Sequence, residues 1–138
     1  LQVLDVTGDA IPDLVAGLYG GALRIVRGIG DGRFLGEQVL TPPLFANGLV
    51  PRPLAIDVNR DGAIDLVTPG ADRQLHLWLG AAAGGGNFRL SGQPGPQLPL
   101  LPQFLVSLDS TGEGRPGILA IAGDGTFTWL LPERDFGF

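Results

Sequence analysis

Aspartates recur in this chain at a spacing that could hold a metal ion. The run Asp5-Val6-Thr7-Gly8-Asp9-Ala10-Ile11-Pro12-Asp13 returns 52 residues later as Asp57-Val58-Asn59-Arg60-Asp61-Gly62-Ala63-Ile64-Asp65. A worn copy, Asp109-Ser110-Thr111-Gly112-Glu113-Gly114-Arg115-Pro116-Gly117, follows after another 52. In the first two runs, side-chain oxygens stand at positions 1, 3, 5 and 9. Oxygen donors at alternate positions of a curled loop suit a hard cation, with calcium the first candidate.

The second loop is the cleaner one. Asp57, Asn59, Asp61 and Asp65 supply side chains, and Ala63 can offer its carbonyl at position 7. Gly62 permits the sharp turn that a β-carbon would resist. Three carboxylates set −3 against +2, a usable balance. The first loop offers Asp5, Thr7, Asp9, the Ile11 carbonyl and Asp13, with Thr7 a weaker oxygen and Gly8 the flexible residue. The third keeps Asp109, Thr111 and Glu113, but Gly117 replaces the last carboxylate. Two calcium sites are expected, and a third that is degenerate, weak or empty. An EF-hand would need a bidentate Glu at position 12 and helices on both sides. Position 12 is Ala16 or Thr68, and both loops run into a β-prone Asp-Leu-Val.

Other chemistry finds little material. His76 stands alone, and its parity in an alternating run makes it a surface or inter-sheet polar residue. Ser91, Ser107 and Ser110 occupy no nucleophile elbow, so no triad can be assembled. Asp5 with Asp13, or Asp57 with Asp65, resembles a glycosidase pair. An active site is seldom built several times over, however. Gly84-Gly85-Gly86 lacks the Lys and helix of a phosphate cradle. No catalytic residue is assigned, and the chain is expected not to be an enzyme. Trp78 and Trp129 take nearly equivalent places and are expected to pack between sheets, with sugar stacking as the alternative.

The elements that position these loops are short strands. Apolar runs precede each loop (Leu1 to Leu4, Leu54 to Ile56, Phe104 to Leu108) and follow it (Leu14 to Tyr19, from Leu66, Ile118 to Ala122). Turns at Gly20-Gly21, Ala71 to Arg73 and Gly123 to Gly125 lead into alternating runs at Leu23, Leu75 and Thr126, which read as strands with one buried face. Gly-rich turns ending in Phe34 and Phe88 introduce a fourth strand, near Leu35 to Leu40 and Arg89 to Ser91. Gly or Pro interrupts every helical window. The chain therefore reads as all-β, with units at 1–53, 54–103 and 104–138, the last incomplete. Pro-rich connectors at 41–53 and 92–103 join them. Four strands repeated at about 50 residues are the signature of a propeller blade.

Composition narrows the function classes. The 138 residues are 44% hydrophobic, enough for a real core. Eight of the 14 acids lie in the three loops, and the net charge is −5. Lys is absent and the nine Arg are scattered, so nucleic acid is not an expected partner. No apolar run reaches the roughly 18 residues of a membrane span. The absence of Cys leaves the compartment unreported, and Leu1 without any Met fits a processed product or an excised piece.

The acidic loops leading into Asp-Leu-Val, with the Gly-rich turns before Phe, resemble the FG-GAP/VCBS repeat. That repeat builds the blades of the integrin α-subunit head and of many secreted bacterial and fungal proteins. The resemblance covers essentially the whole chain, as two good repeats and one truncated, degenerate one. It implies a β-propeller segment of about three four-stranded antiparallel blades, with calcium at the rim loop between the first two strands. The implied ligands are Asp5, Thr7, Asp9, Ile11 and Asp13, then Asp57, Asn59, Asp61, Ala63 and Asp65. It also implies an extracellular or cell-surface module for interaction, adhesion or scaffolding, or alternatively a lectin with sugar sites between blades. Propellers close with four to eight blades. The expected partners are therefore other blades of a larger chain or a second copy, two copies giving six blades, besides a protein or glycan ligand.

Overall fold

A computed structural model of the protein describes residues 1–19, 21–41, 52–81, 86–110, 112, 114–131 and 136. Among these residues there is no helix. Eleven strands form three antiparallel sheets, none of them closed. The first sheet is β1 (Gln2–Leu4), β2 (Asp13–Gly17), β3 (Leu23–Gly28) and β4 (Phe34–Leu40), hydrogen-bonded in that order. The second repeats it with β5 (Leu54–Ile56), β6 (Asp65–Pro69), β7 (Leu75–Gly80) and β8 (Phe88–Leu90). The third contains β9 (Pro102–Leu108), β10 (Gly117–Ala122) and β11 (Phe127–Leu130). Residues 132–135, 137 and 138, most of the connector at 41–53 and the glycines at 84 and 85 lie outside the described residues.

The 52-residue offset holds through the first three strands of each sheet, while the fourth is shifted by two residues, Phe34 facing Gly28 and Phe88 facing Gly80. Val15 pairs with Ile25 as Val67 pairs with Leu77 and Leu119 with Trp129. The hairpin turn keeps its left-handed residue at Gly21, Arg73 and Gly125, with φ of 89°, 65° and 86°. We call the side carrying Val15, Val67 and Leu119 the front of each sheet.

Cores lie between consecutive sheets. Val15, Leu23 and Ile25, on the front of the first sheet, pack with Leu66, Trp78 and Phe88 on the back of the second. Val67, Leu75 and Leu77, on the front of the second, pack with Ile118, Ala120 and Leu130 on the back of the third. The middle sheet is thus covered on both faces, and β6 is buried at four consecutive residues, Asp65 to Thr68, where burial alternates at the start of β2. Gln38 ties the first two sheets by a reciprocal pair of bonds, donating to the Phe88 carbonyl (2.7 Å) and accepting its amide (2.9 Å).

Two expectations need adjustment. The connector after Gly92 is bound to the second sheet: Leu98 is buried and its amide donates to the Arg73 carbonyl at 2.8 Å. The two tryptophans are one residue out of equivalence, which in a strand reverses the face. Trp78, 4% exposed, points back towards the first sheet and donates its indole N–H to Thr68 Oγ1 at 3.2 Å. Trp129 lies on the front of the third sheet. His76 takes the back of the second sheet, half-buried, 3.6 Å from Asp72 Oδ1.

Candidate metal centre

Each acidic loop joins the first strand of a sheet to the second and curls in the same way. Positions 4 and 6 are left-handed in all three: Gly8 and Ala10, Arg60 and Gly62, Gly112 and Gly114. That curl turns loop amides inward, and the position-1 aspartate accepts two of them. Asp5 takes the amides of Gly8 (2.7 Å) and Ala10 (2.8 Å). Asp57 takes those of Asp61 (3.2 Å) and Gly62 (3.0 Å). Asp109 takes those of Gly112 (2.8 Å) and Gly114 (2.7 Å). Gly8 is therefore not the sole flexible residue of the first loop. Ala10 adopts φ of 65° despite its β-carbon, a conformation that costs on the order of 1 kcal/mol or more.

Position 5 closes the second half of the loop. Asp9 Oδ1 accepts the Ile11 amide and Asp61 Oδ1 the Ala63 amide, both at 2.9 Å. In the second loop Asn59 bridges its neighbours. Its side-chain amide donates to Asp61 Oδ2 (2.9 Å), and its Oδ1 accepts the Asp61 amide (3.0 Å). In the first loop Thr7 Oγ1 donates to Asp5 Oδ1 at 3.4 Å. Arg27 also reaches Asp9 Oδ2 there, at 3.1 Å. The amide of Ile11, then Arg27, holds the Asp9 carboxyl below the ordinary aspartate range. Arg27 thus already neutralises part of the first loop.

The position-9 aspartates have a second role, as backbone latches. Asp13 is fully buried, and its Oδ2 accepts the amides of Val6 (3.0 Å) and Thr7 (3.1 Å) while Oδ1 accepts that of Gly28 (2.8 Å). Asp65 repeats this with Val58 (3.0 Å) and Gly80 (2.9 Å). Each carboxylate pins the start of its loop to the end of the third strand. A β-carbon at Gly28 would run into the Pro12 carbonyl, and one at Gly80 into the Ile64 carbonyl. Those two glycines were not singled out from the sequence. Their own 52-residue spacing was the available signal. Burial raises the Asp65 carboxyl above the ordinary range; its two amide donors oppose this, and the charges of Asp61 and Asp57 add to it.

The third loop lacks this latch. Gly117 stands where Asp13 and Asp65 stand, and the Trp129 indole fills the space its β-carbon would take. The residue matching Gly28 and Gly80 is Pro132, which has no N–H to donate. Thr111 and Glu113 lie outside the described residues.

Among the described residues, no three His, Cys, Asp or Glu side chains converge as a ready-made metal cluster. The donor chemistry of the second loop nevertheless fits a hard cation. Asp57, Asn59 and Asp61 are interlocked within hydrogen-bond distance, and every donor is oxygen. Each carboxylate oxygen offers about two acceptor sites, so an amide bond leaves room for an ion.

No curated protein and no solved structure matches the chain. A family model described as an FG-GAP-like repeat does match residues 5–68, from the first loop aspartate to Thr68 in β6.

Proposed function

We propose that the chain is a calcium-binding, non-catalytic module whose three sheets are successive blades of a β-propeller, used for interaction or scaffolding outside the cell. The second loop carries the metal reading. Asp57, Asn59 and Asp61 lie against one another with buried Asp65 behind them, and a divalent ion would relieve the mutual repulsion of the three carboxylates. The Ala63 carbonyl completes the donor set. Calcium would supply charge and cross-linking, and no reaction. The first loop would hold a second, weaker ion through Asp5, Thr7, Asp9, Ile11 and Asp13, because Arg27 competes for Asp9. The propeller reading is supported by three equivalent meanders stacked front to back. The extracellular setting rests on the repeat family alone.

A lectin role has less support. Trp78 is buried and hydrogen-bonded, which leaves Trp129 as the one indole a sugar could reach.

Thermal unfolding with and without calcium tests the proposal. Calcium at a hundred times its Kd stabilises by about 2.7 kcal/mol. In a domain of this size that raises Tm by roughly 8 °C. Asp61→Ala should abolish most of the gain by removing the second site alone. A Tm indifferent to calcium and to excess chelator would overturn the metal reading.

A further inference from the structure

The stacking of the sheets has a direction, and it leaves two mismatched faces uncovered. The front of the first sheet meets the back of the second, and the front of the second meets the back of the third. In those two contacts the front residues are sealed: Val15 and Leu23 are each 1% exposed, and Val67 and Leu75 are 0%. Their counterparts in the third sheet are Leu119 and Phe127, and Phe127 is 69% exposed. Ile25 and Leu77 become Trp129, and Leu4 and Ile56 become Leu108, 52% exposed. Val106 and Phe104 extend the same side at 44% and 50%. Pairing across the strands confirms the shared side: Leu119 lies opposite both Val106 and Trp129, and Ile121 opposite Phe104 and Phe127. The core positions Val15/Val67, Leu23/Leu75 and Ile25/Leu77 thus carry Leu119, Phe127 and Trp129 in the third sheet, apolar side chains none of which is sealed.

The complementary surface is the back of the first sheet. Leu14, Ala16 and Val26 occupy the places of Leu66, Thr68 and Trp78, which are buried in the second sheet. Val3, 63% exposed, takes the place of Ala55, which packs against the first sheet. Val39 adds a further apolar side chain at 46% exposure. The charges on this face are paired, Arg24 with Glu37 at 3.4 Å, so covering it introduces no unbalanced charge. Exposed apolar faces of this kind mark interaction sites.

We propose that the front of the third sheet docks on the back of the first sheet of a second copy of this chain, continuing the contact already made twice within it. The contact is heterologous, two different surfaces meeting, and so requires both. It depends on the residue equivalence between sheets and not on calcium.

Sedimentation velocity of the 138-residue chain at tens of micromolar tests this, with and without chelator. The expected result is a dimer or larger assembly in both conditions. Phe127→Asp on the front of the third sheet, and Val3→Asp with Val39→Asp on the back of the first, should each weaken association at least tenfold. All three sites are exposed, and far-UV circular dichroism checks that each variant keeps its fold. Tyr19→Asp, at an 81% exposed site off both faces, should leave association unchanged. A wild-type monomer overturns the proposal. So does undiminished association of the Val3/Val39 variant, which would mean two fronts pairing with each other.

Discussion

The second and third repeats share a backbone and differ in what the backbone holds. In both, the position-1 aspartate draws in the amides of a curled loop, and positions 4 and 6 are left-handed. The second repeat adds a buried carboxylate that fastens this loop to β7. The third replaces that carboxylate with glycine and fills its place with an indole. The curl and the latch are therefore separable. The curl comes from local hydrogen bonds between the position-1 Asp and the loop amides, and it forms even with Arg60 at a left-handed position. The latch is a long-range bond needing two residues, Asp65 and Gly80, to be right together.

Removing the latch gives the largest expected effect. Asp65→Ala leaves the amides of Val58 and Gly80 buried without a partner, each costing about 1–3 kcal/mol. Relief of the buried charge returns part of this, so the net loss should be about 2–4 kcal/mol. Asp109→Ala removes bonds in a more exposed loop whose amides can turn to water, and should cost about 1 kcal/mol or less. Urea unfolding in excess chelator compares the two without any metal contribution. Equal losses would mean that the latch adds nothing to the curl.

Glycine positions sharpen the same contrast at smaller magnitude. A methyl at Gly80 meets the Ile64 carbonyl, a backbone atom that cannot move without β6. Gly80→Ala should cost about 1–3 kcal/mol by overpacking and weaken the Asp65 bond as well. A methyl at Gly117 meets the Trp129 ring, which is half-buried on an open face and can swing aside. Gly117→Ala should therefore cost less than Gly80→Ala, with a visible change in tryptophan emission. The reverse order in urea midpoints would show that Trp129 is held as firmly as a strand.

Much of this was legible in the chain, because repetition replaces alignment. Asp5, Asp57 and Asp109 fixed the period, and alternation around Leu75 and Phe127 fixed the strands to within a residue or two. The turns were readable at Gly62 and Gly125, where a left-handed residue is cheap. The double life of Asp13 and Asp65 was not readable. A carboxylate spaced as a ligand looks the same whether its oxygens face an ion, two amides or both. The face of Trp129 was hidden for a related reason. A one-residue offset from Trp78 looks like near-equivalence in a list and is a reversal in a strand. Leu98 was hidden because a Pro-rich stretch has no period, and its burial depends on the hairpin it lies across.

The smallest expected effect lies at the hairpin turns, where the two repeats again differ by one contact. Asp72 and Asp124 are equivalent, and each accepts the amide two residues on, Gln74 at 3.0 Å and Thr126 at 2.9 Å. Asp72 also faces His76, whose counterpart in the third repeat is Thr128. Asp124 has no such neighbour among the described residues, and the Thr126 amide, followed by its hydroxyl, holds the Asp124 carboxyl below the ordinary aspartate range. A depressed native value means that ionised Asp124 favours the folded turn. That contribution is present above the unfolded value and is lost as pH falls through the native one. The Thr126 amide resonance should therefore titrate below the ordinary carboxylate range, and Asp124→Asn should remove the step. If the Thr126 resonance instead titrated in the ordinary carboxylate range, the turn would draw no stability from the ionised Asp124.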